Sequence, residues 1–537
     1  MESSQEIGPM PVRAQELPER QIRNENQETN SGFTTGPAIV AYLAAFKLAL
    51  HLATAGVYGL FIDELYFLAC GEHLAWGYVD MPPLTAFQAW LTRALFGNSM
   101  VSIRLFAALA GAGLILVTGA MVRELGGKRF AQALAAIAVL IAPGFLAFDS
   151  YLSMNSIEPL IWMGCALILI RIIKTGDPRR WVWFGLLAGV GLENKQTMAL
   201  FGFGLVAGLV LTAERRLLMN RWFLLGGAIA FVIFLPNLIW NIQHHFPLME
   251  LLANIRRNGR DIVPGPLRYI WIQILFSPPT AAPIWMVGLW RLLISRDGRS
   301  YRLLGWAYLA MLAVLLVTHG KIYYLAPVYP MLMAPGAVAI EKWLEFGRLR
   351  WLRPAYASLL ILTGIWIAPT VMPILPPDTY LWYTKTFHIE QPRFERRATN
   401  AMPQFFADRF GWPEMVEAVA KVYNRLPPEE RARTAIFGND FGETGAIDFY
   451  GPQFGLPKSI GNHLSNWDWG PRSYTGEIVI VLGGRREGEE RHFESVEAVG
   501  EIGHPYAMKQ EHFTLFLCRK PRGWTLQQIW PQLKNWN

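Results

Sequence analysis

The stretch Gly59-Leu-Phe-Ile-Asp-Glu-Leu-Tyr66, continued by Tyr78-Val-Asp-Met-Pro-Pro-Leu84, places Asp63, Glu64 and Asp80 just beyond the first long apolar segment. Acids at a membrane boundary lose solvation if they are drawn toward lipid, so they mark a polar site. The residues alone leave two readings open. A carboxylate at the outer end of a span can serve as a general base if a substrate hydroxyl comes within hydrogen-bond reach. It can equally be a solvated loop acid or a helix N-cap, since Asp63 precedes a helical segment. Asp63 and Glu64 are adjacent and point to different helix faces, so at most one is the base. Asp80 is held in extended geometry by the prolines near it, as a turn acid also would be.

Composition sets the class. The chain has 537 residues, is 52% hydrophobic and only 17% charged, with mean hydropathy +0.23. The apolar residues are clustered, which predicts a polytopic membrane protein with a less hydrophobic C-terminal part. The net charge of +8 does not point to nucleic acid, because Arg and Lys collect in short links between apolar runs. Cys70, Cys165 and Cys518 have no metal-ligand spacing and imply no disulfide framework. A bond between Cys70 and Cys518 is conceivable and nothing in the sequence supports it.

Residues 1–35 are polar, lack the apolar core of a signal peptide, and are expected to form a disordered cytoplasmic tail. Residues 36–375 hold about eleven apolar segments near the length a bilayer needs. Between the first two lies an outer loop, 61–98, whose two helical segments are expected to lie along the membrane surface. Basic links at 123–129, 171–180, 214–221, 295–302 and 341–353 fall on the side of the N-terminus. That side is read as cytoplasmic. The carboxylate loop, 149–156 and 241–268 then face outward. Residues 376–537 follow the last span and are expected to form an extracytoplasmic α/β domain, with strands at 433–439, 477–482 and 512–518.

Other candidates lie at the outer span ends. Glu158 precedes a proline at the start of a span, Lys195 sits at a turn, and Lys321 precedes Tyr323 and Tyr324. Lys and Tyr at such boundaries are commonly interfacial anchors, yet a lysine beside two tyrosines also suits a phosphate. The outer loop with Arg256, Arg257, Arg260 and Arg268 departs from the positive-inside pattern and suggests an anionic ligand or lipid headgroups. His244 and His245 are adjacent and lack a third ligand, so they do not read as a metal site. No P-loop, dinucleotide fingerprint or Gly-x-Ser-x-Gly elbow is present, so any transferred group is expected to arrive on a lipid.

Several motifs in one order resemble the protein O-mannosyltransferase and aminoarabinose-transferase superfamily, integral-membrane glycosyltransferases of the GT-C fold. They are Asp63-Glu-Leu-Tyr66 with Trp76-Gly-Tyr-Val-Asp80-Met-Pro-Pro-Leu84, then Leu192-Glu-Asn-Lys195. Pro236-Asn-Leu-Ile-Trp-Asn-Ile-Gln-His-His-Phe-Pro247 and Gly320-Lys-Ile-Tyr-Tyr-Leu-Ala-Pro-Val-Tyr-Pro330 follow. Phe441-Gly-Glu-Thr-Gly-Ala-Ile-Asp-Phe-Tyr-Gly451 resembles the outer domain of bacterial members.

The resemblance implies transfer of a sugar from a polyprenyl-phosphate donor to an acceptor hydroxyl on an envelope lipid, glycan or protein. It implies a multi-pass protein of the bacterial inner membrane and inversion at the anomeric carbon. Carried over by position, Asp63 is the general base. Glu64, Asp80 and Glu158 bind acceptor or sugar. Lys321, Tyr324, Lys195, Arg256, Arg257 and Arg268 bind the donor phosphate. No resident metal or cofactor is implied, and a divalent cation stays open. Two departures bear on the substrate: Asp80-Met-Pro-Pro stands where the aminoarabinose transferases have Glu-Lys-Pro-Pro, and Glu158 stands where many members carry Asp. The alternative is a transporter or lipid flippase with an outer binding domain. Such a protein places charges or broken helices at mid-membrane, whereas here the ionisable residues cluster at span ends.

Overall fold

The computed structural model describes residues 34–345, 347–390, 395–396 and 400–537. All but the last two residues of the expected N-terminal tail lie outside the described residues. The chain builds a helical bundle capped at one end by a sheet domain.

The bundle comprises α1 (Gly36–Thr54), the loop helices α2 (Ile62–Glu72) and α3 (Leu84–Phe96), α4 (Met100–Glu124), α5 (Arg129–Leu140), α6 (Pro143–Phe148), α7 (Met154–Thr175), α8 (Trp181–Asn194), α9 (Thr197–Val210), α10 (Arg221–Gln243), α11 (Pro247–Asn258), α12 (Pro266–Phe276), α13 (Ala282–Leu293), α14 (Arg302–Thr318), α15 (Tyr329–Trp343) and α16 (Leu352–Val371). Side-chain caps set several starts. Ser99 accepts from Ser102 N at 3.1 Å, and Asn220 accepts from Trp222 N at 2.9 Å. α7 stops at Gly176, whose φ of 69° takes the left-handed C-terminal turn.

Among the described residues, seven helices are long and apolar enough to cross a membrane, or up to eight if the bent Thr197–Val210 and Ala213–Met219 pair is one span. Two of the eleven expected segments are broken. The segment expected at 130–148 divides into α5 and α6 ahead of Pro143, and that at 269–293 divides into α12 and α13 around Pro278 and Pro279. Proline removes a helical donor and clashes with the preceding turn. Such breaks are tolerated at membrane depth where protein covers them. α13 and α15 cross closely: a Cβ on Gly288 would collide with the Leu332 carbonyl, and one on Gly336 with that of Ile284.

Ion pairs gather the basic links at one end. Arg171 and Lys174 reach Glu124 at 2.9 and 3.0 Å. Lys128 pairs with Glu345 at 2.8 Å and Lys342 with Asp297 at 2.9 Å. The opposite end carries the carboxylate loop, the 149–153 turn, α11 and the sheet domain.

That domain holds β1 (Thr434–Gly438), β2 (Ile460–Gly461), β3 (Ile478–Leu482), β4 (Phe493–Ile502) and β5 (Phe513–Pro521), in the order β2-β1-β3-β5-β4. β1 is parallel to β2 and β3, while β5 runs antiparallel to β3 and β4. The helix after β1 spans Phe441–Tyr450, and its Gly442 and Gly445 pack directly on Ile62 and Leu65 of α2. Leu65, Trp412, Ile447 and Ile480 share one core. α2 is therefore buried under the sheet domain instead of lying on the membrane surface; of the two loop helices, α3 exposes large apolar side chains, Phe87 and Trp90 among them. The three cysteines are buried and free, so Cys70 and Cys518 are not bonded.

Candidate active site

The two adjacent acids of α2 do separate. Glu64 turns inward and is 0% exposed. Its Oε2 accepts from Phe61 N at 2.8 Å and from Arg104 Nη2 at 2.6 Å; its Oε1 accepts from Arg104 Nε at 3.0 Å and Leu152 N at 2.9 Å. Arg104 also donates to the carbonyls of Ala55 and Gly59. Burial by itself would raise the Glu64 pKa; Arg104 foremost, with Arg409 and the Phe61 amide, offsets it and holds the carboxyl below its usual range. Both oxygens are saturated. Glu64 thus ties the start of α2 to α4 and to the Tyr151–Leu152 turn, and the expectation that it binds sugar or acceptor is corrected.

Asp63 faces the other way, half-buried, within electrostatic reach of Tyr151 and Tyr323. Tyr323 and Tyr324 begin the run into α15, and their rings meet edge-on at 5.0 Å. Lys195, at the α8–α9 turn, places Nζ 5.3 Å from the Tyr323 ring and 4.8 Å from that of Tyr324. Lys195 Nζ donates to Glu158 Oε2 at 2.9 Å and Asn155 Oδ1 at 2.7 Å. The second Glu158 oxygen accepts from the Thr197 hydroxyl. Glu158 therefore holds Lys195, and each of its oxygens already accepts one hydrogen bond. Burial lowers the Lys195 pKa, Glu158 counters this, and Lys321 lies close enough to add to the lowering. Lys321 is half-buried and sits 3.6 Å from Asp261.

Asp80 forms a second cluster one turn along α2. Tyr66 donates to its Oδ1 at 2.9 Å, and the Tyr66 hydroxyl also meets Ser465 Oγ at 2.8 Å. Ser465, from the sheet domain, accepts from Val79 N at 3.2 Å as well. Burial pushes the Asp80 pKa up to about 6, against the hydrogen bond from Tyr66 and the charges of His463 and Arg260. Arg260 and Asp261 join the two clusters: Arg260 pairs with Glu395 at 3.3 Å, and its neighbour Asp261 reaches Lys321.

Arg256, Arg257 and Arg268 stand exposed on α11 and α12, and none of them enters an ion pair among the described residues. The expected phosphate role fits them poorly, because Arg256 and Arg257, adjacent on α11, face different directions, and Arg268 stands on a separate helix. Arg260 is the arginine of this loop that turns inward. The sequence also did not single out Arg409, 1% exposed. Its Nη2 donates to Ser150 Oγ at 3.1 Å, and its guanidinium lies 4.8 Å from the Phe405 ring and 5.6 Å from that of Tyr151. It fastens the sheet domain to the turn beside Asp63. Nothing in the local sequence marks Arg409; only the docked domain does. Among the described residues, no group of three or more His, Cys, Asp or Glu side chains could hold a metal ion. His244 stacks on Trp240 at 4.0 Å.

A model of the dolichyl-phosphate-mannose-protein mannosyltransferase family matches residues 80–240. The chain is 27% identical over 281 residues to the lipid A galacturonosyltransferase RgtD of Rhizobium johnstonii, a match that covers 48% of this chain and 54% of that protein. The chain thus spans about half the length of this curated relative. Crystal structures of ArnT from Cupriavidus metallidurans superpose over 89% of this chain and 97% of theirs. The form bound to undecaprenyl phosphate gives a TM-score of 0.59 at 14% identity, and the apo form 0.58 at 15%. The fold is therefore the GT-C fold: a multi-pass helical membrane bundle with a C-terminal sheet domain.

Proposed function

We propose that this chain is a membrane glycosyltransferase that moves a sugar from a polyprenyl phosphate to an acceptor hydroxyl. The reading rests above all on one observation: Asp63, Tyr323, Tyr324, Lys195 and Lys321 converge at the end of the bundle opposite the basic links. A base for the acceptor proton and cations for the leaving phosphate suit an inverting transfer. The acceptor O–H gives its proton to Asp63 as its oxygen bonds to the anomeric carbon. The bond from that carbon to the phosphate oxygen breaks, and the polyprenyl phosphate leaves with the electron pair. Lys321 meets its charge, with Lys195 and the Tyr324 hydroxyl beside it. Lys321 leads because its bond to Asp261 is the looser one; Lys195 is already held by Glu158. Asp80, through Tyr66, orients the acceptor.

The likeness to a lipid A galacturonosyltransferase and to a structure holding undecaprenyl phosphate supports a polyprenyl-phosphate donor and a lipid acceptor. The gathered basic links support a cytoplasmic placement of that end, with the site and sheet domain outside a bacterial inner membrane.

The test is transfer by the purified protein in detergent, from polyprenyl-phosphate sugars to lipid A, followed by mass spectrometry. Asp63→Asn should abolish transfer while the donor lipid still binds. Full activity in that variant would remove Asp63 as the base.

A further inference from the structure

Buried polar groups in folded proteins are almost always hydrogen-bonded. The outer end of α8 departs from that rule. Glu193 is 8% exposed, and neither of its carboxyl oxygens has a hydrogen-bond partner. Asn194 donates from Nδ2 to the Met154 carbonyl at 2.9 Å but leaves its buried Oδ1 open. α3 packs against α8. On α3, Gln88 is 6% exposed with both amide atoms open, and the hydroxyl of buried Thr85 is open as well. Thr85 and Gln88 are three residues apart, so they share one helix face.

The location ties these groups to the candidate site. Glu193 stands two residues before Lys195, which sits on the Tyr324 ring. α8 packs alongside α10, with Gly189 against Ile233, so Glu193 lies one turn on, near the level of Asn237. Asn237 donates to the Trp76 carbonyl at 2.6 Å. The loop that carries Asp80 therefore passes over this place. A carboxyl group and an amide buried without partners are costly, and a hydroxyl-rich ligand satisfies both: Glu193 accepts, Gln88 accepts and donates.

We propose that Glu193 and Gln88, with Asn194, form the subsite for the sugar of the donor lipid, hydrogen-bonding its hydroxyls beside the lysines that meet its phosphate. This rests on the glycosyltransferase reading above.

The experiment compares two lipids on the purified full-length protein in detergent: polyprenyl phosphate and polyprenyl-phosphate hexose. Wild-type protein should bind the hexosyl lipid about ten-fold or more tighter than the bare phosphate lipid, the scale of one or two buried hydrogen bonds. Glu193→Ala and Gln88→Leu should each lose most of that margin, with the affinity for bare polyprenyl phosphate unchanged. Glu193→Gln, nearly isosteric, should keep part of it and guards against misfolding. A margin unaltered in all three variants would overturn the subsite, as would parallel loss of both lipids in Glu193→Gln. No margin in wild type, as expected if the groups hold water alone, would overturn it too. A wild type that shows the margin, loses it in the variants, yet transfers sugar to no acceptor would refute the glycosyltransferase reading and leave the subsite standing.

Discussion

Removing the Glu64 carboxylate should unfold the site instead of merely slowing it. Glu64 accepts four hydrogen bonds, two of them from the Arg104 guanidinium, and both side chains are buried. Two charge-assisted bonds at about 1.5–3 kcal/mol each give roughly 3–6 kcal/mol. Breaking a buried ion pair by deleting one partner costs about 3–5 kcal/mol, because the other charge stays behind unpaired. Glu64→Ala is therefore expected to lose about 3–5 kcal/mol in reversible denaturation in detergent, followed by tryptophan fluorescence. Replacing both partners, as Glu64→Leu with Arg104→Met, should recover much of the loss, since no lone charge remains. The pH dependence adds a sign. The folded carboxyl lies below its ordinary value of 4.5, so its contribution is fully present above that value and fades as pH falls through the folded pKa. The gap between wild type and Glu64→Gln should accordingly narrow below about pH 4.5. The reasoning is refuted if Glu64→Ala melts like wild type yet transfers no sugar, for that is the behaviour of a substrate ligand.

Asp63→Asn should reduce the transfer rate by about 10²- to 10⁴-fold, the usual yield of a general base, with donor affinity and the melting curve unchanged. Lys321→Met should weaken binding of polyprenyl phosphate more than Arg256→Met, measured by lipid competition, because Arg256 is exposed and outside the cluster. Asp80 titrates near pH 6 in the folded protein against 3.8 in the unfolded chain. The native state thus binds the extra proton across that window, and stability should fall as pH rises through it. Asp80→Asn should flatten this slope in a series of melts from pH 4 to 7. Ser465→Ala removes the hydroxyl shared by Tyr66 and Val79; about 1 kcal/mol of stability should go with it, along with a several-fold drop in transfer.

Much of the bundle was legible because lipid imposes long apolar runs and confines charge to their ends. The opposite faces of Asp63 and Glu64 followed from helical spacing alone. The sense of each acid did not, because Arg104 is 40 residues beyond Glu64 and no local pattern announces the pairing. The breaks at Pro143 and Pro278 were hidden inside runs whose mean hydropathy is span-like. β1 and β3 showed as continuous apolar stretches; β4 did not, since it is an edge strand with a single buried residue and exposed acids such as Glu494 and Glu497. Burial of α2 was invisible for the same reason as Arg409: both depend on a domain that docks from the far end of the chain. The exposed arginines of α11 and α12 attracted notice by number, while Arg260, which turns inward, looked no different from them in sequence.

The Ser465 hydroxyl has a consequence for the order in which the molecule matures. It braces Tyr66 and Val79 from almost 400 positions downstream, and Arg409 clasps the Ser150 turn beside Asp63 from 259 positions downstream. A ribosome delivers the reactive loop long before either brace exists. The bundle can enter the bilayer with its acids and lysines in place and still be inert. On the proposed reading, competence waits until the sheet domain has closed over α2, so a half-made chain leaves its donor lipid unspent.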